Sequence, residues 1–241
     1  MPTADPATLR TAPQWFEAPI ALSAKPGMHR FVWPLRHAPP APLADGDVWA
    51  NGPWAVPGAY RLVLTVDGKR LEQTVEVVPD PRIALPQEVY VEQLALAQRI
   101  DALRAEVAVA DKEARAVLRA VGELIPAAPG RLRPKLSTLH DRLAEVVGIK
   151  VVANPSNGWP FPPRRMDSLR FVSNALDGVY QAVQGADAAP SPDARAGLER
   201  LTPMTHAAVQ AWHALRDREL PAVNRDLRRA ELKPIEVVAP Q

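Results

Sequence analysis

GAYRLVLTVDGKRLEQTVEVVPDPR, residues 58–82, carries the strongest local signal in the chain. Tyr60, Leu62, Leu64 and Val66 share one face of an extended segment. Asp67-Gly68 then turns it, and Leu71, Val75 and Val77 return. Alternation on both sides of Asp-Gly predicts a two-residue β-hairpin, because a type I′ turn needs φ > 0 at both central positions. Upstream, residues 28–35 alternate with His29, Phe31 and Trp33 on one face and predict a second piece of sheet, which Pro34 limits to an edge or ends. Ile20-Ala21-Leu22-Ser23 predicts another short strand, and residues 37–57 read as a long loop. Residues 27–82 thus read as the closing half of a small β-sandwich without its opening half. Four strands with one apolar face must pack on helices or on strands supplied from elsewhere.

After Asp80-Pro81 the composition shifts to Ala, Leu, Arg and Glu at helical spacing. Val89, Leu96, Ile100, Leu103, Val107, Ala110, Ala114, Val117, Val121 and Leu124 form one stripe, predicting a helix of about 37 residues and about 55 Å. A second helix is expected over residues 134–147, with Leu136, Leu139, Leu143 and Val146 inward and Gly148 as its stop. A third is expected over residues 166–184, with Leu169, Val172, Leu176, Val179 and Val183 inward. Ser191-Pro192-Asp193 has the chemistry of a helix start, opening a fourth that carries Leu198, Leu201, Thr205, Val209, Trp212 and Leu215. Pro203 should kink that helix and Leu220-Pro221 should break it, before a short amphipathic helix with Val223, Leu227 and Ala230. The expected fold class is therefore multidomain α and β: a partial Ig-like β-sandwich over residues 1–86, an antiparallel four-helix bundle over residues 87–235, and a tail at 236–241.

Composition bounds the function. The chain has 241 residues, 47% hydrophobic and 23% charged, which are globular values. A net charge of +2 and the lack of any basic block interleaved with aromatics give nucleic-acid binding no support. With no cysteine there are no disulfides, thiol nucleophiles or cysteine-held metals. The opening MPTADPATLRTAPQWF has neither the basic nor the apolar region of a signal peptide, and no run is long enough to span a membrane. The expected location of the chain as written is cytoplasmic; an exported location is expected instead if it is an N-terminally truncated fragment.

GMHRFVWPLR (27–36), GPWAVPGAYRLVLTVDGK (52–69), VYQAVQGADAAPSPDARAGLERL (179–201) and AWHALRDRELPAVNRDLRRAELKPI (211–235) together resemble the C-terminal region of sortilin-like, BNR-repeat β-propeller proteins often labelled glycosyl hydrolases. The resemblance runs from about Trp15 to Ile235 and implies an Ig-like sandwich followed by a helical bundle. It places any activity or ligand face in a propeller that has no counterpart in these residues, nor do the sandwich's first two strands. Pro34 also stands where the family usually has Asp after the Trp.

Candidate residues are few. His29, Trp33, Trp54 and Tyr60 could stack on sugar rings, although Trp33 and Tyr60 fit better as aromatics packed inside a sandwich. Trp49 and Trp54 in the loop, and Trp159 and Phe161 in the proline-stiffened NPSNGWPFPPRR segment, are the candidates for ligand or partner contact. Asp45-Gly46-Asp47 lacks the further oxygens of a calcium loop. Asp217, Glu219 and Asp226 sit among arginines as expected for surface ion pairs, and His206 and His213 have no third ligand. No catalytic, cofactor or metal residue is assigned. The expected function is a non-catalytic accessory module that braces a propeller or mediates association. Its expected partner is an upstream propeller polypeptide or another copy joined through an open sheet edge, with no nucleic acid and no membrane. The alternatives are a carbohydrate-active enzyme with its site in residues 43–56 and a free-standing helical interaction protein.

Overall fold

The computed structural model describes residues 24–44, 51–149 and 167–237. It is a mixed α and β structure, mostly helical, with one small sheet. The elements in chain order are α1 (Ala41–Ala44), β1 (Gly58–Val66), β2 (Lys69–Val77), α2 (Gln87–Leu124), α3 (Arg133–Val147), α4 (Leu169–Gln184), α5 (Pro192–Ala214) and α6 (Leu220–Arg229).

The hairpin forms as its sequence predicts. β1 and β2 pair antiparallel with Val66 opposite Lys69, Leu64 opposite Leu71, Leu62 opposite Gln73 and Tyr60 opposite Val75. Asp67 at φ 48° and Gly68 at φ 76° supply the two left-handed residues of the turn.

The rest of the expected sandwich does not appear among the described residues. Residues 28–35 form no strand; one isolated bridge, Arg36 to Trp54, is all that pairs there. Pro34 offers no N–H to a ladder, and Leu35 at φ 57° turns the chain out of the extended path. Ile20 to Ser23 lie outside the described residues. In the expected loop, α1 makes a single turn in which the Leu43 and Ala44 N–H groups donate to Pro40.

α2 is the hub of the helical body, with α3, α4 and α5 packed against it. Its stripe is buried from Leu96 through Ile100, Leu103, Val107, Ala110, Ala114 and Val117 to Val121, while Leu124 is half-buried. The fully buried partners include Leu136, Leu143, Leu169, Leu176, Leu198, Trp212 and Leu227. α3 ends at Gly148, whose N–H donates to the Ala144 and Glu145 carbonyls and whose φ of 86° turns the chain so that the Ile149 N–H also reaches the Ala144 carbonyl. α4 starts at Leu169, three residues later than expected, because the Ser168 hydroxyl accepts the Phe171 N–H. Ser191 caps α5 in the same way through the Ala194 N–H.

α5 carries Pro203 inside its span, and the next proline acts differently from expectation. Leu220-Pro221 does not break the chain: Leu215–Glu219 forms a π-helical turn, closed by the Leu220 N–H on the Leu215 carbonyl. That wider turn delivers Pro221 to the first turn of α6, where a missing N–H costs nothing. Beyond α6, Asn224 donates to the Ile235 carbonyl and accepts its N–H, both at 2.8 Å, pinning the buried Ile235.

Candidate functional site

The hairpin's two faces differ in chemistry. Arg61, Arg70, Glu72 and Glu76 lie on one, where Glu72 bridges Arg70 at 2.7 Å and Arg61 at 3.6 Å. The other is mostly apolar: Tyr60, Leu62, Leu64 and Val66 from β1, Leu71 and Val75 from β2, with Gln73 beside Leu62 and Lys69 beside Val66. Among the described residues Trp33 covers the base of this face, its ring meeting Tyr60 edge-on at 5.0 Å. Further out, Leu62 is 46% exposed, Leu64 45%, Val66 49% and Leu71 61%. Contiguous apolar side chains left this bare make the hairpin the candidate surface of the described residues.

Rigidity comes from a strap of residues 51–57 that docks on α4. The Trp54 N–H donates to the Gln184 side-chain oxygen at 2.8 Å, and its indole N–H to the Gln184 carbonyl at 3.1 Å. Arg36 lies over the Trp54 ring at 3.5 Å and donates to the Gly52 carbonyl; burial pulls its guanidinium below the ordinary arginine range. Gly52 is needed here, since a Cβ would sit 2.0 Å from the His37 carbonyl oxygen. The strap then feeds the hairpin, with the Tyr60 hydroxyl donating to Val56 at 2.7 Å and Gln87 to Pro57 at 2.8 Å.

Beneath the strap is a buried polar group that spans α2 and α4. Arg104 donates to Asp101 and to Asp177, each at 2.7 Å, and its guanidinium stacks 4.5 Å from the Tyr180 ring. The Tyr180 hydroxyl donates to the Asn51 carbonyl at 3.0 Å. Burial raises the Asp101 carboxyl above its usual range against the pull of Arg104. For Arg104 burial opposes the charge, but the bonds to Asp101 and Asp177 outweigh it and raise its pKa. Burial, then the Asp101 charge, pushes Tyr180 to about 12. Gln93, also buried, donates to the Val183 and Ala186 carbonyls at the end of α4. These groups clamp strap, α2 and α4 together.

Between the hairpin base and the helices is a cleft of about 270 Å³, lined by Trp54, Val56, Val77, Asp80, Tyr90 and Gln184 among others. The Tyr90 hydroxyl is buried there without a protein partner, and burial followed by Asp187 and Asp80 raises its pKa. Asp80 is already engaged by the Arg82 guanidinium.

Of the residues singled out for contact, Trp54 is described, and one face of its ring is occupied by Arg36. It anchors the strap and also lines the cleft at the hairpin base. Trp49, Trp159 and Phe161 lie outside the described residues, as does Asp45-Gly46-Asp47. Trp33 and Tyr60 pack on each other but are half-buried at the hairpin base, not enclosed in a core. His29 is exposed. Asp217 pairs with Arg216, Glu219 with Arg142, and Asp226 with Lys135. The bonds from Arg216 and Lys135 lower the pKa of Asp217 and Asp226, the opposite of what a proton donor to a glycosidic oxygen requires. His206 lies 4.0 Å from Glu106. Among the described residues no group of three His, Asp or Glu is placed to hold a metal ion, and no helix is long and apolar enough to cross a membrane.

The clamp residues escape a reading by apolar period alone, although the signal existed. Gln93 and Glu113 occupy positions in register with the α2 stripe, where a polar residue implies a buried partner. For Glu113 that partner is the Trp212 indole N–H at 2.9 Å. Comparison with protein-family models, curated proteins and solved structures finds no match for this chain.

Proposed function

We propose that the chain is a non-catalytic interaction module, the C-terminal part of a BNR-repeat β-propeller protein, that braces the propeller or mediates its association. In this reading residues 58–77 are the surviving hairpin of a partial Ig-like sandwich, and the helices form an antiparallel four-helix bundle that holds it. The observation that carries the reading is the bare apolar face of Leu62, Leu64, Val66 and Leu71 on a hairpin whose base is fixed to the helices. An incoming strand or sheet layer would bury that face, and the open edges would accept its backbone bonds.

The test uses the full chain. Leu62→Thr and Leu64→Thr should leave the thermal midpoint of the helical body unchanged while abolishing binding of an apolar dye to the hairpin. A wild-type chain that is monomeric, binds no such dye, and shows full hydrogen-exchange protection of the outward β1 amides Arg61, Val63 and Thr65 would end the proposal. Its hairpin would then already be covered.

A further inference from the structure

We infer that the outer edge of β2 pairs antiparallel with β2 of a second copy, centred on Gln73, to give a four-stranded sheet β1-β2-β2-β1. The inference rests on reading the hairpin as the association element, and it names the occupant of one edge.

The backbone fixes which residues can take part. In a two-residue hairpin the Val66 carbonyl accepts the Lys69 N–H, so that pair is a hydrogen-bonded one. Alternation then turns Leu71, Gln73, Val75 and Val77 toward β1, and Arg70, Glu72, Thr74 and Glu76 away from it. All four outward residues are exposed. An isologous antiparallel pair must therefore place outward residues opposite one another about a two-fold axis.

Overlap and charge together select the register: a centre at Gln73 pairs the whole of residues 69–77, whereas centres at Leu71 and Val75 pair only 69–73 and 73–77. Centred on Gln73, Arg70 faces the second copy's Glu76, Glu72 faces Thr74, and Leu71 faces Val75 on the apolar side. The Arg70–Glu76 pair occurs twice by symmetry. Moving the centre to Glu72 sets Glu72 against Glu72, and moving it to Thr74 sets Glu72 against Glu76. Like charges directly opposite on paired strands are unfavourable. Within one chain Arg70 bridges Glu72, whereas Glu76 has no ion pair among the described residues. In the centred register Glu76 gains one. β1 carries a single charge, Arg61, and encodes no comparable choice. The pairing also joins two bare apolar faces edge to edge, widening the surface offered to a further partner.

Sedimentation of the full chain tests this. The wild type should be a dimer, and Glu76→Arg or Arg70→Glu should each weaken the dimer by roughly 10-fold or more, since each change acts at two symmetric pairs. Combining Arg70→Glu with Glu76→Arg should restore it. In the dimer the amides of Arg70, Glu72, Thr74 and Glu76 should gain hydrogen-exchange protection while those of Arg61, Val63 and Thr65 do not. Helical circular dichroism, expected to stay unchanged, shows that each variant is folded. A monomeric wild type, a dimer indifferent to both single changes, no rescue in the double variant, or protection on β1 instead of β2 would each overturn the inference. A monomer whose hairpin still binds apolar dye would overturn it while leaving the interaction reading standing.

Discussion

Replacing Trp54 with alanine should release the strap from α4 without unfolding the helices. Three interactions are lost together. The indole N–H bond to the Gln184 carbonyl is worth about 1 kcal/mol net. The Arg36 guanidinium over the ring adds about 0.5 kcal/mol or more at a partly exposed site. Trp54 is 40% exposed, so most of its surface is covered, and returning that area to water costs roughly 2 kcal/mol. The total, about 3.5 kcal/mol, corresponds to an opening equilibrium roughly 300-fold more favourable. Native-state hydrogen exchange reads it at three amides that hold the strap: His37, bonded to Pro53; Trp54, bonded to Gln184; and Ala55, bonded to Leu35. Trp54→Phe keeps an aromatic face for Arg36 but loses the donor and part of the buried area, so it should speed exchange by roughly 5-fold or more, yet less than alanine does. Core amides such as Ile100 and Leu136 should exchange as before, because neither helix depends on the strap for its own bonds. If Trp54→Ala changed strap exchange by less than about twofold, Trp54 would not be the anchor.

Thr205→Val should raise stability by about 1 kcal/mol, and the thermal midpoint by roughly 2–4 °C, because the fully buried Thr205 hydroxyl has no partner and valine keeps its shape. A fall in midpoint would mean that the hydroxyl is satisfied. Tyr180, raised to about 12, holds its proton more tightly folded than unfolded, so its contribution is complete below about pH 10 and lost as pH rises through about 12. The phenolate absorbance near 295 nm that disappears in Tyr180→Phe should be this late component; if the component lost in that variant ionised near 10 in the folded chain, the burial described would be contradicted.

The helices were legible because their signal is local. A stripe such as Leu96, Ile100, Leu103 and Val107 needs only the helical period, and whichever helices approach, that face is the one they cover. The hairpin was legible because Asp67-Gly68 encodes its own turn. Residues 28–35 misled because alternation describes one strand's faces and is silent about whether a neighbour exists to pair with it. Pro34 and the left-handed Leu35 settle that locally, against the pattern. The π-helical turn was invisible for a related reason: Leu220-Pro221 reads as a break unless the wider turn before it is already known. The strap lay furthest out of reach, since Trp54 meets its partner 130 positions along the chain and no local pattern carries such a contact.

The strength of the bare face limits how it can be used. Leu62, Leu64, Val66 and Leu71 are each about half exposed, so complete burial of each returns roughly 1 kcal/mol, about 4 kcal/mol in all. Taken alone that matches only a millimolar complex, before the entropic cost of bringing two molecules together is met. The face therefore works poorly as a free-standing docking site for a diffusing protein. Two arrangements escape the limit. A segment tethered to the same polypeptide meets the face at a high effective concentration and has already lost most of the freedom that a separate molecule would surrender. A partner that also pairs along a strand edge adds backbone bonds and a charge-selected register to the apolar contact. The Arg70, Glu72 and Glu76 pattern on β2 supplies the second arrangement, and an upstream propeller polypeptide would supply the first. With β1 and β2 presenting separate edges, one hairpin can use both at once.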